Sequence, residues 1–125
     1  MGGQVGRRTW AIPEGFLPER LHGRGRELES HEAACLLNAG DADAHVKLTV
    51  FFADREPAGP YQVTVPARRT LHLRFDDLRD PEPIPRATDY ASLVESDVPI
   101  VVQHTRLDAR QADTALLSTI AFAGD

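Results

Sequence analysis

"PIVVQHTRLD", Pro99 to Asp108, decides how this chain folds. Three aliphatic residues, Ile100 to Val102, begin it as a buried strand begins. Four hydrogen-bonding side chains follow in a row: Gln103, His104, Thr105 and Arg106. Such a stretch is either the wall of a site or a strand leaving a core for a protein interface.

The neighbouring C-terminal run separates these readings. In "ALLSTIAFA" (Ala115–Ala123) both faces are apolar, with Leu116, Ile120 and Phe122 on one and Ala115, Leu117 and Ala121 on the other. A two-layer sandwich buries one face of each sheet, so strands apolar on both faces need a further partner. A second copy of the chain would supply it. Val101, Gln103, Leu117 and Ala121 are therefore the expected oligomer interface.

Earlier segments carry the same short-strand grammar, punctuated by Gly and Pro. "RRTWAI" (Arg7–Ile12) reads as a first strand stopped at Pro13, after a flexible lead at residues 1–6. Residues 13–30 read as a long loop. Glu32–Asn38 and His45–Ala53 read as a hairpin around "AGDAD"; Val46, Leu48, Val50 and Phe52 share one face of its second arm. "YQVTV" and "RRTLHLRF" are further strands. Pro81, Pro83 and Pro85 bar a central strand or helix interior there. "ATDYASLVESD" is expected to form the only helical turns, with Thr88 or Asp89 as the N-cap. The fold class is thus all-β: a single-domain antiparallel β-sandwich over residues 1–125, jelly-roll-like, with at most short helical turns.

The chain has 125 residues, enough for a hydrophobic core without staples. Its formal net charge of -5 is opposite to that of a non-specific nucleic-acid binder, so DNA is a disfavoured partner. The single cysteine, Cys35, lies in an apolar run and behaves as a small hydrophobe. The five histidines show no metal-ligand spacing, and no cofactor is expected. No nucleophile elbow, phosphate loop or dinucleotide fingerprint is present. The expected protein is not an enzyme. With no apolar leader and no long apolar run, it is expected to be cytoplasmic.

The polar strand faces supply the remaining site candidates. Thr70, His72 and Arg74 share one face, and His104 and Arg106 share another. If those strands pair, they form a cationic, hydrogen-bonding platform with Arg68 and Arg69 at its edge. Arg69, His72, Arg74, His104 and Arg106 are the expected ligand- or partner-binding residues, suited to a sugar, an anionic metabolite or an acidic loop.

Four long segments in order carry a resemblance: "WAIPEGFLP", "CLLNAGDADAHV", "GPYQVTVPARRTLHLRFDDLRDPEPIP" and "VPIVVQHTRLDARQADTALLSTIAFA". Together they resemble the sensory rhodopsin transducer family, from about Gly6 onward; Glu19–Ser30 stands outside the family pattern. The resemblance implies a β-sandwich subunit in a homotetramer. It also implies a soluble cytoplasmic messenger that binds the cytoplasmic side of a microbial sensory rhodopsin and relays a light signal. It further suggests two alternatives, possible carbohydrate binding and a DNA-binding regulatory role. No catalytic residue comes with it.

Overall fold

The computed structural model describes residues 4–19, 29–109 and 115–124. Its strands are β1 (Arg7–Phe16), β2 (His31–Asn38), β3 (Ala44–Phe52), β4 (Ala58–Val65), β5 (Arg69–Arg74), β6 (Asp89–Asp108), β7 (Ala115–Ile120) and β8 (Phe122–Ala123). The expectations for residues 1–3 and for half of the 13–30 loop, residues 20–28, lie outside the described residues.

The architecture turns on β6, a strand of 20 residues. Its first half, through Ser96, pairs with β3 on one side, while Tyr90 to Glu95 also pair with β1. Its second half, from Val101, pairs with β2 and, from Gln103, with β7. One sheet therefore runs β4-β3-β6-β1-β8 and the other β5-β2-β6-β7, with β6 common to both. Every pairing is antiparallel. The all-β sandwich expected from the sequence is the observed fold.

The shared strand explains why the helical expectation fails. Tyr90, Ser92, Val94 and Ser96 are buried in strict alternation, and Ile100, Val102 and His104 continue the same parity. A period of two is a strand period. Thr88 and Asp89 offered themselves as N-caps, but the packed face overrides that local preference. The only helical turn among the described residues is a 3-10 turn at Phe75–Asp77.

The hairpin expectation is also overturned. β2 and β3 do not pair; they lie in opposite sheets, so Ala39–Asp43 arches across the sandwich. Asn38 builds that arch. Its fully buried side chain donates through Nδ2 to the carbonyls of Ala42 (2.8 Å), Val65 (3.0 Å) and Pro66 (3.3 Å), and its Oδ1 accepts from Gly40 N–H (3.0 Å). These bonds satisfy carbonyls that a crossing connection removes from any ladder. A second crossing occurs at Ala121, where β7 leaves one sheet and β8 joins the other; its N–H donates to Val102 O.

Pro13 does not stop β1. The pairing with β6 shifts between Ile12 and Gly15, and this irregularity takes in the proline. Between the sheets lies one core, including Trp10, Leu36, Leu48, Tyr61, Phe75 and Val102. Trp10 is a core residue, and its indole N–H reaches the carbonyls of Arg7 (2.9 Å) and Ile100 (3.1 Å).

Candidate functional site

The parity of β2 and β6 carries two kinds of side chain to two different places. Glu32, Ala34, Leu36 and Asn38 point into the sandwich, as do His104 and Arg106. Cys35, Leu37, Val101 and Gln103 point out.

Inside, Glu32 is the centre of a network. Its carboxylate is fully buried, and a buried charge must be paired and hydrogen-bonded. Oε1 accepts from His104 Nε2 at 2.6 Å. Oε2 accepts from Arg106 Nε at 2.9 Å and from the backbone N–H of Phe16, and Arg106 Nη2 stands 2.8 Å away. Arg106 also reaches Glu14 Oε2 at 3.0 Å. Burial alone would pull the Arg106 pKa down, but Glu32 and Glu14 outweigh it and the guanidinium is held more firmly charged. The network fastens the end of β1 to the second sheet.

A second charged group adjoins it. Arg74 grips Asp76 with two bonds (2.9 and 2.8 Å). Arg86 donates to Pro18 O at 3.0 Å, with Glu29 and Asp76 oxygens 3.6 and 3.7 Å from its Nη2. It thereby touches both stems of the connection from β1 to β2. Between the two groups lies Tyr90, its ring 5.5 Å from that of Phe75 and its hydroxyl buried without a hydrogen-bond partner among the described residues. Burial, then the charges of Glu32 and Asp76 against an opposing Arg106, push that phenol far above its ordinary pKa. Carboxylates held by several guanidinium and imidazole donors fix the strands that carry them, which is structural chemistry.

Outside, on the second sheet, Cys35 is flanked by His72 of β5 and Gln103 of β6. With Leu37, Thr70, Val101 and Ile120 they line a shallow groove of about 280 Å³. Ile120, Leu116 and Leu37 are exposed on this side of the sheet. The first sheet also carries an outward apolar band: Leu93 lies beside Ala11, and Ala11 beside the exposed Phe122, with Phe51 one row away.

The expected platform is therefore divided. β2 lies between β5 and β6, and His72 faces out while His104 and Arg106 face in. Arg74 is tied to Asp76, and Arg69 is exposed at the start of β5. Of the residues expected at an oligomer interface, Val101 and Gln103 share the outer groove, Leu117 is exposed on β7, and Ala121 is buried. Glu32, Asp76, Arg86 and Asn38 escaped the sequence reading. The parity of Glu32 with Leu36 was the available signal.

Among the described residues no group of three or more His, Cys, Asp or Glu could hold a metal ion, and no helix is long and apolar enough to cross a membrane.

A search of curated proteins gave no match. The solved structure of the Anabaena sensory rhodopsin transducer is similar, with 56% identity and a TM-score of 0.74 over 82% of this chain and 99% of that one. The crystal structure of Thermotoga maritima 1070 is similar at 35% identity and a TM-score of 0.85, over 97% of each chain. The family model described as Anabaena sensory rhodopsin transducer matches residues 5–123. The chain belongs to the Anabaena sensory rhodopsin transducer family.

Proposed function

We propose that this protein is a non-enzymatic cytoplasmic signal transducer that binds the cytoplasmic side of a microbial sensory rhodopsin and relays its light signal. The observation that carries this reading is the family match across residues 5–123. Transduction works by partner exchange: the receptor's two states bind the protein with different affinities, and that difference drives the signal.

The surface supports an assembled form. Each sheet leaves an apolar outer band, one around Phe51, Leu93 and Phe122 and the other around Leu37, Val101 and Ile120. Exposed apolar bands of this kind mark interaction sites. Two separate self-complementary faces on one subunit generate a closed dihedral tetramer. In that assembly His72 and Gln103 supply hydrogen bonds within an otherwise apolar contact.

The test is a calorimetric titration against the detergent-solubilised rhodopsin of the same organism, in the dark and under illumination. Binding whose affinity changes with light is the expected result. No binding in either state refutes the photosensory role.

A further inference from the structure

The outer face of the first sheet holds a histidine whose ring is fixed in one tautomer. His45 and Lys47 of β3 face outward there, opposite Thr64 and Gln62 of β4. All four side chains are exposed, and they line a shallow cavity of about 160 Å³.

Asp97 of β6 sets the ring. Its Oδ1 accepts the His45 backbone N–H and its Oδ2 accepts from Nδ1, both at 2.8 Å. Those bonds favour the ionised carboxylate. A carboxylate only accepts, so the ring proton sits on Nδ1 and Nε2 keeps its lone pair. Carboxylate behind Nδ1 and lone pair on Nε2 is the arrangement that orients an imidazole for metal binding or for reaction. The side chain shows 68% of its surface, so that lone pair is within reach of a reagent.

The surroundings choose between those chemistries. A metal ion finds no cluster of ligands among the described residues, and Lys47 opposes a cation. The other groups on the cavity are donors: an ammonium, the Gln62 amide and the Thr64 hydroxyl. Glu95 is the other cross-strand neighbour of Lys47, which therefore supplies a donor rather than a net positive field. Three donors around a nucleophilic nitrogen suit the oxygens of a phosphoryl group.

We propose that His45 Nε2 is a phosphoryl acceptor for N-phosphoryl donors of the phosphoramidate class, with Asp97 as its positioning residue. The Nε2 lone pair attacks phosphorus, and the Nε2–P bond forms as the donor's P–N bond breaks. The amine leaves with the protons it already carries. Nδ1 keeps its proton, so the ring becomes cationic and Asp97 stands against that charge. This site goes beyond the receptor reading and does not rest on it.

Potassium phosphoramidate, applied to the intact protein at neutral pH, is the test. Site-resolved mass spectrometry and phosphorus NMR are expected to find an acid-labile adduct on His45. His72 is the internal control, an exposed strand histidine that faces Cys35. His45 should be labelled about tenfold faster or more, the low side of what a positioned proton-bearing partner contributes. Asp97→Asn separates tautomer from exposure. The His45 backbone N–H can only donate, so the Asn carbonyl must face it and the amide Nδ2 falls at Nδ1. The ring proton then moves to Nε2, which ring-nitrogen NMR shifts report. Labelling should slow about tenfold, less than in a buried triad because the pair is exposed. No adduct on His45, equal rates on His45 and His72, or an Asp97→Asn variant with unchanged tautomer or undiminished labelling would each overturn the proposal.

Discussion

The carboxylate of Glu32 and the imidazole of His104 meet at 2.6 Å, with neither side chain exposing more than 7% of its surface. They come from strands 72 residues apart in the chain, and their contact, with Arg106 alongside, joins β2, β6 and the end of β1. Removing one partner of a buried ion pair strands the others, at a cost of about 3–5 kcal/mol. Glu32→Ala is expected to lose that much in urea unfolding with an unchanged m-value. A triple replacement of Glu32, His104 and Arg106 by apolar residues should recover much of the loss, because nothing charged is then left unpaired. A Glu32→Ala variant within about 1 kcal/mol of wild type would show that the network is not what fastens β1.

Asn38 poses the same question for a neutral group. Asn38→Ala leaves the buried carbonyl of Val65 and the part-buried carbonyl of Ala42 without their side-chain donor. The expected loss is about 2–3 kcal/mol, since each stranded polar group costs about 1–3 kcal/mol. Asn38→Asp should be worse than Asn38→Ala at neutral pH, because a carboxylate oxygen would then face those carbonyls. Thermal unfolding of the two variants at pH 7 orders them.

Asp97 and His45 form an exposed pair in which Oδ1 accepts the His45 backbone N–H and Oδ2 its Nδ1, both at 2.8 Å. The backbone bond, then the side-chain bond, hold the Asp97 pKa below its ordinary 3.8. A carboxyl whose folded pKa is lowered stabilises the fold above its unfolded pKa and loses that contribution as pH falls through the folded value. Stability measured from pH 5 downward should therefore fall more steeply for wild type than for Asp97→Asn. With both side chains largely exposed, the difference should stay below about 1 kcal/mol. Parallel curves would remove the pair from the acid response.

Gly6 sits at a φ of +101°, and a Cβ there would overlap the Ile100 carbonyl. That carbonyl also accepts from the Trp10 indole. Gly6→Ala combines left-handed strain with a backbone collision, so a loss of about 2 kcal/mol or more is expected. The indole bond should weaken with it, read as a shift in tryptophan fluorescence. A neutral Gly6→Ala would mean that the strand start is free to move.

Period-two alternation made most strands legible, and the double-faced apolar pattern of Ala115–Ala123 belongs to a strand with all six β7 residues exposed. The topology was not legible in the same way. "NAGDAD" has the composition of a hairpin turn, and only the burial of Asn38 between carbonyls of the other sheet makes it an arch. His104 and Arg106 lie in phase with Ile100 and Val102, so their inward direction could be read from "PIVVQHTR". The parity of Glu32 with Leu36 also points it inward, but its pairing with them could not be read, because it depends on a register set 72 residues away. The opening alternatives for that stretch resolve by parity: Gln103 goes to the outer face, and His104 to a structural network.

The two apolar bands lie on opposite outer faces, so a charge placed on one should leave the other intact. Phe122 and Ile120 are 70% and 62% exposed, and substitutions at such positions change monomer stability by roughly 0.5 kcal/mol or less. Burying a glutamate in an apolar interface, by contrast, is costly without a partner. In light scattering, Phe122→Glu and Ile120→Glu should each convert a tetramer to a dimer, and the double variant should be a monomer. If either single variant remains tetrameric, its face is open to a different partner. The rhodopsin titration should then be repeated with that variant, where lost binding would identify the face as the receptor contact.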